Sequence, residues 1–148
     1  HLLQGYYKDQ VRTDVAFEGG WFHSGDLATV DDEGYITIVD RKKDMIKTGG
    51  ENVASREVEE TIYGVGAVSE VAVVGVSHPY WIEEVVAVVV RRAGHVLTED
   101  QVIAHCRMHL AGFKVPKRVV FLEALPKNPS GKVLKRELRL SCEAGAVP

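Results

Sequence analysis

The sequence has 148 residues, 45% of them hydrophobic and 26% charged, with a formal net charge of −3 and two cysteines. The apolar share supports a packed core and excludes global disorder. No apolar run approaches the roughly 18 residues of a membrane-spanning helix, so a transmembrane segment is not expected. Mild acidity argues against general affinity for nucleic acid or an anionic membrane.

Cys106 and Cys142 do not make a disulfide framework, so a reducing, cytoplasmic setting is the expectation. The chain opens on His1-Leu2-Leu3-Gln4-Gly5, with neither Met nor a signal pattern, and reads as part of something longer.

Residues 1–24 scatter Tyr6, Tyr7, Phe17, Trp21 and Phe22 around Gly19-Gly20, with no sustained periodicity. Residues 27–30 and 35–39 flank Asp31-Asp32-Glu33-Gly34 and predict a β-hairpin with a polar loop. The charged run Asp40-Arg41-Lys42-Lys43-Asp44 is not expected inside a buried hairpin and marks a domain boundary or hinge. Met45-Ile46-Lys47 then leads into Thr48-Gly49-Gly50-Glu51-Asn52, read as a loop that needs glycine's backbone freedom.

Ser55 is the expected cap of a helix to about Tyr63, with Val58 and Ile62 on one face and Gly64 and Gly66 ending it. Residues 68–76 and 84–91 are valine-rich strands joined by a His78-Pro79-Tyr80-Trp81 loop. Thr98-x-x-Gln101 is a capping box for a helix with core face Val102, Cys106 and Leu110, ended by Gly112. A strand over 118–122, a loop over 126–132 and a helix from Val133 to about Glu143, aligned on Leu134, Leu138 and Cys142, complete the chain. This order predicts an α+β fold: a short sheet with helices packed on it.

Charge is unevenly spread. The segment 114–139 holds eight basic residues against Glu123 and Glu137, leaving it at +6 and the remainder at −9. Such a strip suits a polyanionic small molecule, or is a solvated lysine-rich surface.

Three sites carry possible chemistry. In Asn128-Pro129-Ser130-Gly131-Lys132, prolines 126 and 129 stiffen the approach and Gly131 allows a tight turn before a lysine. A compact ammonium held there suits phosphate or carboxylate oxygens. It is not a P-loop, because Pro126 stands where that motif has its first glycine and Val133 follows the lysine. Trp21-Phe22-His23-Ser24-Gly25-Asp26 sets a carboxylate before a strand, where it can accept ribose hydroxyls. Lys47-Thr48-Gly49-Gly50 lets backbone approach a narrow ligand. Taken singly, the first two read more readily as ordinary turns, and the third equally as a flexible connection. His105 and His109 stand four apart on one helix but lack a glutamate partner and a third ligand, so no metal site is expected.

In this order, Gly20-Trp21-Phe22-His23-Ser24-Gly25-Asp26, then Asp40-Arg41-Lys42-Lys43-Asp44-Met45-Ile46-Lys47-Thr48-Gly49-Gly50-Glu51-Asn52-Val53, then Pro126-Lys127-Asn128-Pro129-Ser130-Gly131-Lys132 resembles the C-terminal end of the acyl-adenylate-forming superfamily. That family includes acyl-CoA synthetases, peptide-synthetase adenylation domains and beetle luciferases. The resemblance implies that residues 1–42 are a hairpin-containing end of a large N-terminal domain and residues 43–148 a small mobile C-terminal lid. It also implies that the rest of that large domain, with the acyl pocket, belongs to the same chain.

By the same resemblance, Asp26 and Arg41 hold the ribose of ATP and AMP. Lys43 is the hinge, and Lys132 is the catalytic lysine that contacts the substrate carboxylate and phosphate. Gly49, Gly50 and Glu51 line the pantetheine tunnel, with Trp81, Phe113, Lys114 and Val115 near the CoA nucleotide. The implied activity is that of an acid–thiol ligase, most like a fatty-acyl-CoA synthetase. It takes a carboxylic acid, ATP with Mg2+ and CoA as substrates and has nothing tightly bound to this piece alone. An aryl-CoA ligase, an adenylation enzyme loading a carrier protein, and a non-catalytic basic-faced interaction module are the alternatives.

Overall fold

The computed structural model describes residues 3–145; His1, Leu2 and residues 146–148, which include the chain's opening pair, lie outside the described residues. The chain divides into two compact units, His1–Lys43 and Asp44–Pro148.

The first unit begins with helix α1 (Gln10–Ala16), capped by Asp9, whose carboxylate accepts the N–H of Arg12 at 2.9 Å. This helix was not expected from the sequence. None of its residues is buried, so it carries no apolar stripe to be read. A 3-10 turn (Glu18–Gly20) leads to an antiparallel hairpin of β1 (Asp26–Val30) and β2 (Ile36–Arg41). Asp31 closes its loop by accepting the N–H groups of Glu33 and Tyr35 at 3.0 and 2.9 Å. The charged run does not end the hairpin where expected. β2 continues through Asp40 and Arg41, and Asp40 is buried with its carboxylate accepting the Arg41 N–H at 2.7 Å. Among the described residues of this unit, no apolar side chain is buried.

The second unit carries the core. Its sheet runs β4 (Glu51–Val53), β3 (Ile46–Thr48), β6 (Ile82–Arg91), β5 (Val68–His78), with β7 (Arg118–Leu122) parallel to β6. Val71, Val73, Val85, Ala87 and Val89 point to one face, where they meet Val58 and Ile62 of α2 (Ser55–Tyr63) and Val102 and Cys106 of α3 (Glu99–His109). Ala72, Val74, Val76, Val86, Val88 and Val90 point to the other, against Leu138 and Cys142 of α4 (Lys135–Glu143). Burial on both faces is why β5 and β6 read as nearly continuous valine runs instead of alternating. Each fully buried valine contributes about 1.5–3 kcal/mol.

The expected α+β fold is present, with local corrections. Thr48-Gly49-Gly50-Glu51-Asn52 is not a loop but the tip of a β3–β4 hairpin. Gly49 and Gly50 both have positive φ, 58° and 87°, as a two-residue type I′ turn requires. Ser55 is the first residue of α2, and Ala54 takes the cap position. The Thr98–Gln101 capping box is formed, but α3 ends at His109, and Gly112 opens a 3-10 turn (Gly112–Lys114). α4 starts at Lys135 because Val133 bridges back to Lys127 and the Leu134 N–H is held by the Pro126 carbonyl. Among the described residues, no helix is long and apolar enough to cross a membrane.

Candidate functional site

In the first unit, β1 and β2 bring Asp26 and Arg41 opposite each other in the strand register. Arg41 Nε lies 3.3 Å from Asp26 Oδ1. Ser24 Oγ accepts the Asp26 N–H at 3.1 Å, and the Lys42 N–H binds the Gly25 carbonyl at 2.8 Å, extending the hairpin past its last strand residue. Ser24, Gly25, Arg41, Lys42 and Lys43 line an open cleft of about 290 Å3 beside this pair. A carboxylate next to cationic side chains offers acceptors for hydroxyls and donors for anions in one place. Lys43 is exposed in the turn at the end of the unit.

In the second unit, the β3–β4 hairpin touches β6 through a single register pair, Thr48 opposite Ile82. Two further bonds fasten it. Glu83 accepts the Lys47 N–H at 2.7 Å, and the Trp81 carbonyl accepts the Gly49 N–H at 2.9 Å. A Cβ on Gly49 would stand 3.0 Å from Trp81 Cε3, whereas one on Gly50 would meet nothing within 4 Å. Thr48, Gly49, Glu51, Trp81, Gly112, Phe113 and Lys117 line a cavity of about 190 Å3. Two aromatic rings, an ammonium and a carboxylate around a glycine turn suit a flat ligand that carries polar groups.

This cavity gathers Gly49, Glu51, Trp81 and Phe113 from the residues singled out in the sequence. Gly50 borders it in the turn. Lys114 is occupied elsewhere, both Glu57 oxygens lying 2.7 and 2.8 Å from its Nζ. Val115 is buried in the core and presents no side chain to the cavity. Thr48 belongs to the Lys47-Thr48-Gly49-Gly50 stretch already marked in the sequence, whereas Gly112 and Lys117 join the cavity without a sequence signal for it. Lys117 was visible only as one charge in a basic strip, and only the turn after Phe113 brings it here.

The third locus is the loop before α4. Asn128 Oδ1 accepts the Ser130 N–H at 3.1 Å, the Ser130 hydroxyl at 2.8 Å and the Lys132 N–H at 2.9 Å. The Asn128 N–H binds the Lys132 carbonyl at 2.9 Å, and Gly131 sits at φ 81°. The backbone of Lys132 is thereby fixed while its side chain is exposed.

The +6 segment is less free than its sequence implied. Lys114 pairs with Glu57, Arg118 with Glu84, Lys127 with Glu70 and Lys135 with Glu59. Among the described residues, Lys132 Nζ has no such partner. Arg118, Lys127 and Lys135 are thus bound to this unit's own carboxylates instead of forming one basic face.

The histidine pair is used locally. His105 Nε2 lies 3.0 Å from the Thr61 carbonyl and His109 Nδ1 lies 2.9 Å from that of His105. Among the described residues, no cluster of three metal-binding side chains occurs. Burial pushes the Cys106 thiol up to about 11. It also raises Cys142, with Arg118 opposing. Neither thiol is placed for nucleophilic chemistry at neutral pH.

The chain is similar to known proteins over most of its length. Residues 57–132 match the family described as the AMP-binding enzyme C-terminal domain. The chain is 49% identical over 138 residues to a long-chain-fatty-acid–CoA ligase of Mycobacterium tuberculosis, covering 93% of this chain and 27% of that protein. It is 48% identical over 139 residues to a feruloyl-CoA synthase of an Amycolatopsis species, covering 94% and 28%. The crystal structure of ATP-bound MatB from Rhodopseudomonas palustris superposes with a TM-score of 0.87 at 41% identity, covering 95% of this chain and 28% of that one. The chain thus spans about a quarter of the length of the relatives it matches.

Proposed function

Because the chain belongs to the AMP-binding enzyme C-terminal domain family, we propose that it is the C-terminal part of an AMP-forming acyl-CoA synthetase acting on a fatty acid. Residues 1–42 are read as the end of the large N-terminal domain and residues 43–148 as the lid, with Lys43 as the pivot. The lack of any buried apolar side chain among the described residues of the first unit supports this reading, since such a piece needs a larger body to pack on.

The reaction has two steps. A substrate carboxylate oxygen attacks the α-phosphorus of ATP, an acyl–phosphate bond forms, and pyrophosphate leaves. The CoA thiol then attacks the acyl carbon and loses its proton, a thioester forms, and AMP leaves. Asp26 accepts the ribose hydroxyls, with Arg41 beside it. Lys132 stabilises the charge that builds on carboxylate and phosphate oxygens. Lid rotation about Lys43 withdraws Lys132 and presents the Gly49–Gly50 turn, beside which Trp81, Phe113 and Lys117 take the CoA nucleotide. Mg2+ enters with the nucleotide's phosphates, and none of this chain's residues is assigned to it.

The single observation that carries the proposal is the Lys132 loop. Its backbone is clamped by Asn128, while its ammonium is exposed and, like that of Lys117 and unlike those of Lys114, Lys127 and Lys135, has no carboxylate partner among the described residues. An aromatic carboxylate is the second reading, favoured by the near-equal likeness to a feruloyl-CoA synthase.

The test uses the full-length protein with ATP and a panel of graded fatty acids and hydroxycinnamates. The expected result is thioester formation that saturates with free CoA. A requirement for a phosphopantetheinylated carrier protein instead of free CoA would contradict it. The setting expected for this enzyme is the cytoplasm.

A further inference from the structure

The β5–β6 hairpin turn stands out because its geometry is held by a histidine. His78 and Ile82 are the closing register pair, leaving Pro79, Tyr80 and Trp81 as the turn. The N–H groups of Tyr80 and Trp81 both donate to His78 Nδ1, at 3.2 and 3.1 Å. Nδ1 can accept them only as the unprotonated nitrogen, so the proton of the neutral ring sits on Nε2. Asp31 and Asn128 do the same work in the other two loops, each taking backbone N–H groups two and four residues on. An imidazole nitrogen here stands in for the carboxylate or amide oxygen of an Asx turn.

What His78 fixes is Trp81. The Trp81 carbonyl holds the Gly49 N–H, and its ring packs where a Gly49 Cβ would be. The Tyr80 ring meets the Trp81 ring edge-on at 4.6 Å between centroids. The turn is under tension, since Ile82, a β-branched residue, sits at φ 72° directly after Trp81. Without its internal acceptor, a strained turn of this kind holds the indole against the glycine turn less firmly, with the Gly49 N–H and the Tyr80 ring as the remaining contacts.

We propose that His78 is a positioning residue for CoA, holding Trp81 in the orientation that receives the CoA nucleotide. This rests on the reading of the Gly49–Trp81–Phe113 cavity as the CoA site. His78 touches no substrate, and its action passes through the Tyr80 and Trp81 amides.

The test compares His78→Ala, His78→Asn and Trp81→Ala in the full-length enzyme, with CoA as the varied substrate. The Asn side chain restores an acceptor two residues before the Tyr80 amide. His78→Ala is expected to raise KM for CoA about tenfold, the scale of weakening one base–aromatic stack, with kcat within about twofold. Trp81→Ala is expected to raise KM at least as much, and His78→Asn to return KM to within about twofold of the wild type. If Trp81→Ala raises KM but His78→Ala does not, the CoA site stands and this inference is overturned. If His78→Ala raises KM and Trp81→Ala does not, His78 acts by another route and the inference is again overturned. If neither moves KM, the CoA reading falls and takes the inference with it. Independently of activity, the imidazole 15N spectrum of wild-type protein is expected to show His78 Nδ1 unprotonated at neutral pH. A proton on Nδ1 would overturn the proposal whatever the kinetics.

Discussion

Asn128 Oδ1 accepts the backbone N–H of Lys132 at 2.9 Å, and the Lys132 carbonyl in turn accepts the Asn128 N–H at the same distance. Two reciprocal bonds across four residues turn a loop into a rigid pedestal for one ammonium. Asn128→Ala removes the side-chain half of this clamp at a half-buried position. It is expected to slow acyl-adenylate formation about tenfold, roughly 1.4 kcal/mol, with little change in melting temperature. Gly131→Ala tests the same pedestal through the backbone, because φ 81° disfavours any Cβ even where space is open. Adenylation at the wild-type rate in both variants would mean that loop order does not matter for Lys132.

The two hairpin glycines are expected to behave differently. Gly49→Ala meets Trp81 at 3.0 Å and also strains a φ of 58°, so it disturbs the cavity itself. Gly50→Ala meets nothing and adds only backbone strain of about 1–2 kcal/mol. Gly50→Leu projects a side chain into the space assigned to pantetheine. It is expected to block thioester formation while pyrophosphate exchange persists. Half-reaction assays distinguish these outcomes, and normal CoA turnover by Gly50→Leu would remove the tunnel assignment.

Ile82→Gly is expected to stabilise the chain. Relief of a left-handed β-branched residue gains about 1–2 kcal/mol, and glycine's greater freedom in the unfolded chain returns about 0.5–1 kcal/mol. Ile82 is largely exposed, so little packing is lost. A rise of about 2–4 °C in thermal melting follows. A clear fall would show that the isoleucine side chain contributes more than its backbone costs.

Much of this was legible in the sequence, and the misses have physical reasons. The capping box at Thr98 and Gln101 and the valine runs of β5 and β6 follow from local chemistry, and both are formed. β3 and β4 do not stand out in the sequence because three residues are too few to set a period, although Gly49-Gly50 is itself a hairpin signal. The Asp26–Arg41 pairing follows from register along a recognisable hairpin. Lys117 beside Trp81 and the glutamate partners of the basic strip depend on residues brought from distant elements, which no local pattern encodes. His78 as a turn acceptor was hidden because an Asx-type role is usually sought in aspartate or asparagine.

Cys106 gives a pH dependence with a defined sign. Its thiol is raised by burial from 9.0 to about 11. Folding therefore favours the protonated form. That contribution is fully present below pH 9 and is lost as pH rises toward 11, costing about 2–3 kcal/mol over the interval. Denaturant melts across this range are expected to lose stability, and Cys106→Val or Cys106→Ala to flatten the loss. Rapid alkylation of Cys106 in the folded protein at pH 8 would contradict its burial.

In the proposed mechanism Lys132 serves the first half-reaction and not the second. The decisive measurement is Lys132→Ala in the full-length enzyme, assayed for ATP–pyrophosphate exchange and, separately, for thioester formation from supplied acyl-adenylate and CoA. Exchange is expected to fall by roughly 3–4 kcal/mol of lost transition-state stabilisation, with thioester formation retained. Exchange near the wild-type rate, or equal loss in both half-reactions, would contradict it.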